Sequence, residues 1–130
     1  MDTSKTHGAI SWSELTTSDP VAAAEFYGTL FGWTFDEMDM GPLGSYHVAK
    51  LGDTLVAGMQ APPPGAAGSP PGWGSYITVT DVDKTVAQAV KLGAKVCMPV
   101  MDVPGVGRMA GFSDPQGAVI NVITYSAAAA

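Results

Sequence analysis

An internal repeat constrains this chain more than any other feature. The segment GAISWSELTTSDPVAAAEFYGTLFGWTF runs through an alternating stretch, an Asp, an amphipathic stretch, a Gly and a short apolar run. The later segment GWGSYITVTDVDKTVAQAVKLGAKVCMPV passes through the same order. Such self-similarity marks a duplicated supersecondary unit that cannot bury its apolar face alone. In the first copy Asp19 predicts an N-cap, with Pro20 at the first helical position and Gly32 as the stop. Val21, Ala24, Phe26 or Tyr27, and Leu30 to Phe31 fall near helical spacing. In the second copy Asp81 or Asp83 offers the cap, Val86, Ala89, Val90 and Leu92 the apolar stripe, and Gly93 the stop.

Three short apolar segments follow each helix. They are Thr34–Met38, Ser45–Lys50 and Thr54–Gln60 in the first half, and Ala94–Val100, Arg108–Ser113 and Ala118–Tyr125 in the second. Each half therefore reads β-α-β-β-β, with module one at about 8–60 and module two at about 73–125. The Pro/Gly-rich stretch 61–72 is a connector, open to proteases. One helix covers only one face of such a sheet. The two halves are expected to share a curved, mostly antiparallel surface in a single α+β domain, with helices on the convex side and the concave side as the pocket.

Composition removes whole classes of function. The 130 residues are 46% apolar, enough for a core, and six basic against twelve acidic side chains give a net charge of −6. That balance repels phosphate backbones, so nucleic acid is not an expected partner. No run approaches the ~20 apolar residues of a membrane span. The start, MDTSKTHGAISW, lacks a signal-peptide core, which predicts a cytoplasmic chain with a frayed leader that includes His7. Cys97 is the single cysteine and is read as inert core; with two histidines in all, no Cys-rich or His-rich metal site can be assembled.

At this level of detail the chain resembles the vicinal oxygen chelate superfamily, which includes glyoxalase I, bleomycin-resistance proteins and extradiol dioxygenases. The likeness rests on FYGTLFGW after the first helix, DPQGAVINVITY near the end and the paired modules, and it covers roughly residues 8–125. It is nearest to a branch of glyoxalase-like proteins, some labelled hydroxylases, with a W-x-x-L-x-T-x-D start and a G-R-M strand before D-P-x-G. Here these are Trp12, Leu15, Thr17 and Asp19, then Gly107-Arg108-Met109 and Asp114-Pro115-Gln116-Gly117. Metal-using members place a His or Glu on the first and last strand of each module. The corresponding positions here are Trp12, Ser75 or its neighbour, Asn121, and a site within Ala57–Gln60. None is a good divalent-metal ligand, so no metal and no cofactor is expected.

Other residues are candidates for the chemistry. Glu14 lies two residues after Trp12 and so shares its strand face. It is a candidate general base, or an anchor for a ligand or for Arg108; the plain alternative is a solvated strand end. Arg108, the only arginine, follows the Gly-rich PGVG and can fork onto a carboxylate, or simply lie at the surface. Tyr46 and His47 point to opposite faces of one strand, so only one reaches the pocket. Tyr46 is the candidate ligand contact and His47 the candidate base, each against an ordinary structural role. The expectation is a metal-free, homodimeric binder of a small, aromatic or apolar organic ligand contacted by Trp12, Tyr46, Arg108 and Asn121. The dimer is expected to form through an exposed sheet edge. The alternative is a lyase, isomerase or oxygenase/hydroxylase using Glu14 or His47, or a metal held by residues not identified.

Overall fold

The computed structural model describes residues 1–40, 44–62 and 70–126. The chain divides into two compact units, Trp12–Trp73 and a second made of Met1–Ser11 with Gly74–Ala130. Most of the connector 61–72 lies outside the described residues.

The first unit holds β1 (Ile10–Thr16, which starts two residues earlier), α1 (Pro20–Phe31), β2 (Thr34–Asp39), β3 (Ser45–Leu51) and β4 (Thr54–Gln60). Its strand order is β2-β3-β4-β1, with β1 parallel to β4 and the other pairs antiparallel. The second unit holds β5 (Gly72–Thr78, two residues of which precede it), α2 (Val82–Lys91), β6 (Lys95–Val103), β7 (Gly107–Ser113) and β8 (Val119–Tyr125). It repeats the plan as β5-β8-β7-β6, with β5 parallel to β8. Both are βαβββ modules of an α+β fold. Among the described residues no helix is long and apolar enough to cross a membrane.

Both helices start as their sequences dictate. The Asp19 carboxylate accepts from Ala22 N at 3.0 Å and that of Asp81 from Lys84 N at 3.0 Å, each satisfying an orphan N–H of the first turn. Gly32, at φ 75°, closes α1 in the left-handed region that an L side chain avoids.

The helices differ in what they bury. In the second unit Val82 of α2 joins Val79, Ala110 and Val122, with Ile77, Val86, Val100 and Phe112 packed around them. The expected stripe is displaced: Val90 and Leu92 are exposed, because the sheet meets the Val82 and Val86 side of the helix. On α1 the expected core positions Val21, Phe26, Leu30 and Phe31 are all exposed. Its inward side is Ala23, Ala24, Tyr27 and Gly28, and a side chain at Gly28 would meet Phe35 of β2.

Two further expectations are corrected. The leader is not frayed: Gly8 N donates to Thr78 O at 2.8 Å, Thr78 N donates to Ala9 O at 2.8 Å, and Thr80 N donates to His7 Nδ1 at 3.0 Å. Cys97 is not core. It is exposed on β6, the edge strand of its sheet, at the irregularity where Val96 pairs with Phe112 and Met98 with Gly111, so that Cys97 itself is left out of the pairing.

Candidate functional site

Strand pairing in the first unit assembles four of its residues on one face. β1 runs parallel to β4 with Glu14 opposite Gly58 and Thr16 opposite Gln60. β3 lies antiparallel to β4 with Tyr46 opposite Gln60 and Val48 opposite Gly58. Side chains alternate along each strand, so Trp12, Glu14, Tyr46 and Gln60 fall on the same side. The helix lies on the other side: Phe35, which approaches Gly28 of α1, pairs with Ala49, two residues from His47. The strand parity of Trp12 and Glu14 thus carries both away from the helix, together with Tyr46. It carries His47 toward the helix.

The four side chains form a hydrogen-bonded cluster. The Tyr46 hydroxyl donates to Glu14 Oε2 at 2.6 Å, the length of an O–H···O⁻ bond. Trp12 Nε1 donates to the Tyr46 hydroxyl at 3.3 Å, and Gln60 Nε2 donates to Glu14 Oε1 at 2.9 Å. Glu14 is only 5% exposed and is the one buried carboxylate among the described residues. Such a group costs several kcal/mol to bury unless donors replace its water. Two of those donors are Tyr46 and Gln60. Gln60 is the partly exposed member of the set, and so the one that solvent reaches.

Gly58 makes this arrangement possible. A Cβ there would run into the Tyr46 hydroxyl oxygen and lie 2.6 Å from Cζ. The phenol ring lies flat over Gly58 to reach Glu14 on the far strand. The sequence marked Ala57–Gln60 only as a segment holding one inherited ligand position and gave neither Gly58 nor Gln60 this role, although a glycine inside an apolar strand is a signal for such a close approach.

Arg108 is placed elsewhere. On β7 it alternates with Ala110 and Phe112, which face α2. Its Nε and Nη2 donate to Asp83 at 3.0 and 3.1 Å, and its Nη1 donates to Asp102 at 2.9 and 3.0 Å. The expected pairing of Arg108 with Glu14 is therefore corrected: this guanidinium ties the first turn of α2 to the β6–β7 pair. The Arg108 hydrogen bonds hold the Asp83 carboxyl below its ordinary value, and Asp83 and Asp102 raise that of Arg108.

Asn121 sits in the second unit on the face away from α2, opposite Tyr76 on one side and Gly111 on the other. A Cβ at Gly111 would run into its Oδ1, and one at Gly74 would sit 3.1 Å from its Nδ2. Matching the two registers, Glu14 corresponds to Tyr76, Gly58 to Asn121, and Trp12 to Gly74 rather than Ser75. These positions do not fit a divalent metal. Trp12 offers only an N–H, the glycines offer no side chain, and Asn121 offers one neutral oxygen already packed between glycines. Among the described residues no three His, Cys, Asp or Glu side chains cluster to hold an ion.

With this geometry in hand, the comparisons with known proteins are decisive for family. Residues 9–122 match the model of the Glyoxalase/Bleomycin resistance protein/Dioxygenase superfamily. The chain belongs to that superfamily. It is 42% identical over 117 residues to a Mycobacterium tuberculosis protein named "Putative glyoxylase CFP32", covering 88% of this chain and 45% of that protein. It is 34% identical over 127 residues to the anthracycline biosynthesis protein DauV of a Streptomyces species, covering 88% of this chain and 46% of that protein. The chain thus spans less than half the length of these glyoxalase-superfamily relatives. Among solved structures, a Streptomyces coelicolor methylmalonyl-CoA epimerase superposes with a TM-score of 0.68 over 94% of this chain and 100% of that one. At 18% identity that likeness speaks for the fold alone.

Proposed function

We propose that this superfamily member is a cytoplasmic small-molecule-binding protein that holds its ligand without a divalent metal, with the Trp12, Glu14, Tyr46 and Gln60 cluster as the polar anchor. The observation that carries this reading is the Glu14 carboxylate, 5% exposed yet held in one orientation by Tyr46 at 2.6 Å and Gln60 at 2.9 Å. A rigid acceptor beside the apolar faces of Trp12 and Tyr46 suits a planar, largely apolar ligand with a hydroxyl or amine to donate. The likeness to a protein named for anthracycline biosynthesis agrees with an aromatic ligand. Arg108 has no part in this reading, because its donors are already engaged by aspartates on the helix side. Asn121 stands as a contact of the second module.

The test is a panel of planar hydroxylated aromatics titrated against tryptophan fluorescence and calorimetry, with and without chelator. Binding that ignores chelator and weakens at least about tenfold in Glu14→Gln is the expected result. Affinity unchanged in Glu14→Gln, or lost on chelation, would sink the reading.

One observation favours a second reading. The one carboxylate buried among the described residues, in a fold that also serves epimerases, can accept a proton from a carbon acid. Exchange of solvent deuterium into a bound ligand, lost in Glu14→Gln, would turn the anchor into a general base.

A further inference from the structure

We propose that Gln60 is the exchangeable donor of the Glu14 site. A ligand reaches the carboxylate by taking the place of the Gln60 amide at Oε1, so Gln60 controls entry and demands a ligand O–H or N–H. This rests on the reading of Glu14 as the anchor and assigns different roles to its two oxygens. At Oε2 the donor is the Tyr46 hydroxyl, 2.6 Å away and on a side chain with no exposed surface. That ring lies over Gly58, and its hydroxyl accepts from Trp12 Nε1 at 3.3 Å. A phenol fixed on three sides cannot step aside for a ligand. At Oε1 the donor is the Gln60 amide at 2.9 Å, the end of a flexible side chain that solvent reaches.

The ends of the strands show where a ligand comes from. Gln60 closes β4, and its neighbours across the registers are Thr16, the last residue of β1, and Tyr46 near the start of β3. Met38 of β2 stands opposite Tyr46 in turn. Thr16, Gln60 and Met38 are all partly exposed, whereas Glu14, Tyr46 and Val48 behind them are buried. The open end of the site is therefore the Gln60 end, and Oε1 is the oxygen on that side. Thr17 N donates to Gln60 O at 3.0 Å, which holds the backbone of residue 60 in place. Only the side chain has to swing, and a solvent-reached side chain changes rotamer readily.

Exchange, rather than addition, follows from what a buried carboxylate needs. Without a ligand, Gln60 keeps a donor on Oε1, which a carboxylate at 5% exposure requires. A ligand that brings an O–H or N–H replaces that bond one for one. A ligand of the same shape without a donor displaces the amide and leaves Oε1 short. Stranding a buried acceptor in this way is the strongest discrimination that such a site offers. The apolar faces of Trp12 and Tyr46 meet both ligands alike, so Gln60 turns a general affinity for aromatics into selection for a donor at the buried tip. The competition has a measurable signature. Every donating ligand must first break the Gln60 bond, so removing that amide should tighten binding instead of weakening it.

Calorimetric titration tests the proposal with two probes: β-naphthol, a planar aromatic with one hydroxyl, and its methyl ether, which has the same frame and no donor. The naphthol should bind Gln60→Ala about tenfold tighter than the wild-type chain, since it gains a hydrogen bond to a charged acceptor without displacing one. The ether should bind both proteins at least about tenfold more weakly than the naphthol. Naphthol affinity that falls, stays level or is undetectable in Gln60→Ala overturns the proposal. So does an equal gain by both probes, which would mean only more room. Failure of the anchor reading looks different: naphthol binding would then be indifferent to Glu14→Gln, whatever Gln60→Ala does. A second measurement needs no ligand. In urea unfolding Gln60→Ala should raise the unfolding equilibrium constant by less than about fivefold, because water takes over at Oε1, and Tyr46→Phe by more than about tenfold. Equal effects of the two variants would mean that both donors are built in, and would overturn the exchange.

Discussion

Gly58→Ala is the sharpest perturbation the site offers, because a single methyl group tests the whole cluster. β4 is flanked by β3 and β1, so its backbone is hydrogen-bonded on both sides and cannot move aside. The new Cβ would fall on the Tyr46 hydroxyl and 2.6 Å from Cζ, so the phenol ring must give way. Overpacking of this kind costs about 1–3 kcal/mol. A displaced ring also forfeits the 2.6 Å bond to Glu14, and a lost hydrogen bond to a buried charge costs about 1.5–3 kcal/mol. The replacement of glycine by alanine itself returns only about 0.4–1 kcal/mol, by restricting the unfolded chain. The net loss is about 1.5–5.5 kcal/mol, a large part of the ~5–15 kcal/mol that holds a domain together.

Urea unfolding followed by circular dichroism reads that loss as a lower midpoint at constant slope. The decisive comparison is a double-mutant cycle with Tyr46→Leu. Without the phenol ring there is room for a methyl group at position 58, and Gly58→Ala should then cost close to nothing. The coupling between the two sites should be about 2 kcal/mol or more. An equal cost in both backgrounds, or a cost below about 0.5 kcal/mol in the wild-type chain, would show that Tyr46 does not lie over Gly58 and would dismantle the cluster.

Two further outcomes follow from other parts of the molecule. Arg108 holds the Asp83 carboxyl below its ordinary value, so the pair's contribution is present above about pH 4 and is lost as the pH falls through the lowered value. Arg108→Met should therefore flatten the acid limb of the stability profile while lowering the plateau, and parallel limbs in the two proteins would refute the pairing. Asp19→Ala removes the 3.0 Å cap on Ala22 N and should cost about 1 kcal/mol in the same urea assay; a neutral result would mean that the first turn of α1 is capped by something else.

How far the sequence could be read depended on whether a feature was local. Caps, stops and strands were legible because Asp19, Gly32 and the turns around DPQG act on their own neighbours. The buried side of α1 was misread, because Val21, Phe26 and Leu30 fall near helical spacing as a core stripe would, whereas its inward side is Ala23, Ala24, Tyr27 and Gly28. Strand parity was enough to put Glu14 beside Trp12. Parity could not supply partners, since Gln60 and Tyr46 reach Glu14 only through the register of β1 and β3 on β4. Arg108 was misassigned for the same reason: Asp83 and Asp102 lie 25 and 6 residues away and meet it only once α2 and β6 have docked.

The two modules also show why activity is harder to read than fold in this superfamily. Both set a polar side chain beside glycine: Tyr46 over Gly58 in the first, Asn121 between Gly74 and Gly111 in the second. The glycines do not stand at matching positions: by register Gly58 answers to Asn121, and Gly74 to Trp12. Where the first module sets a carboxylate, Glu14, against a glycine, the second sets Tyr76 against an amide. The two modules thus share a strand order and pairing while differing in where glycine stands and in what faces it. The proposed function accordingly rests on Glu14, the carboxylate that the first module keeps buried.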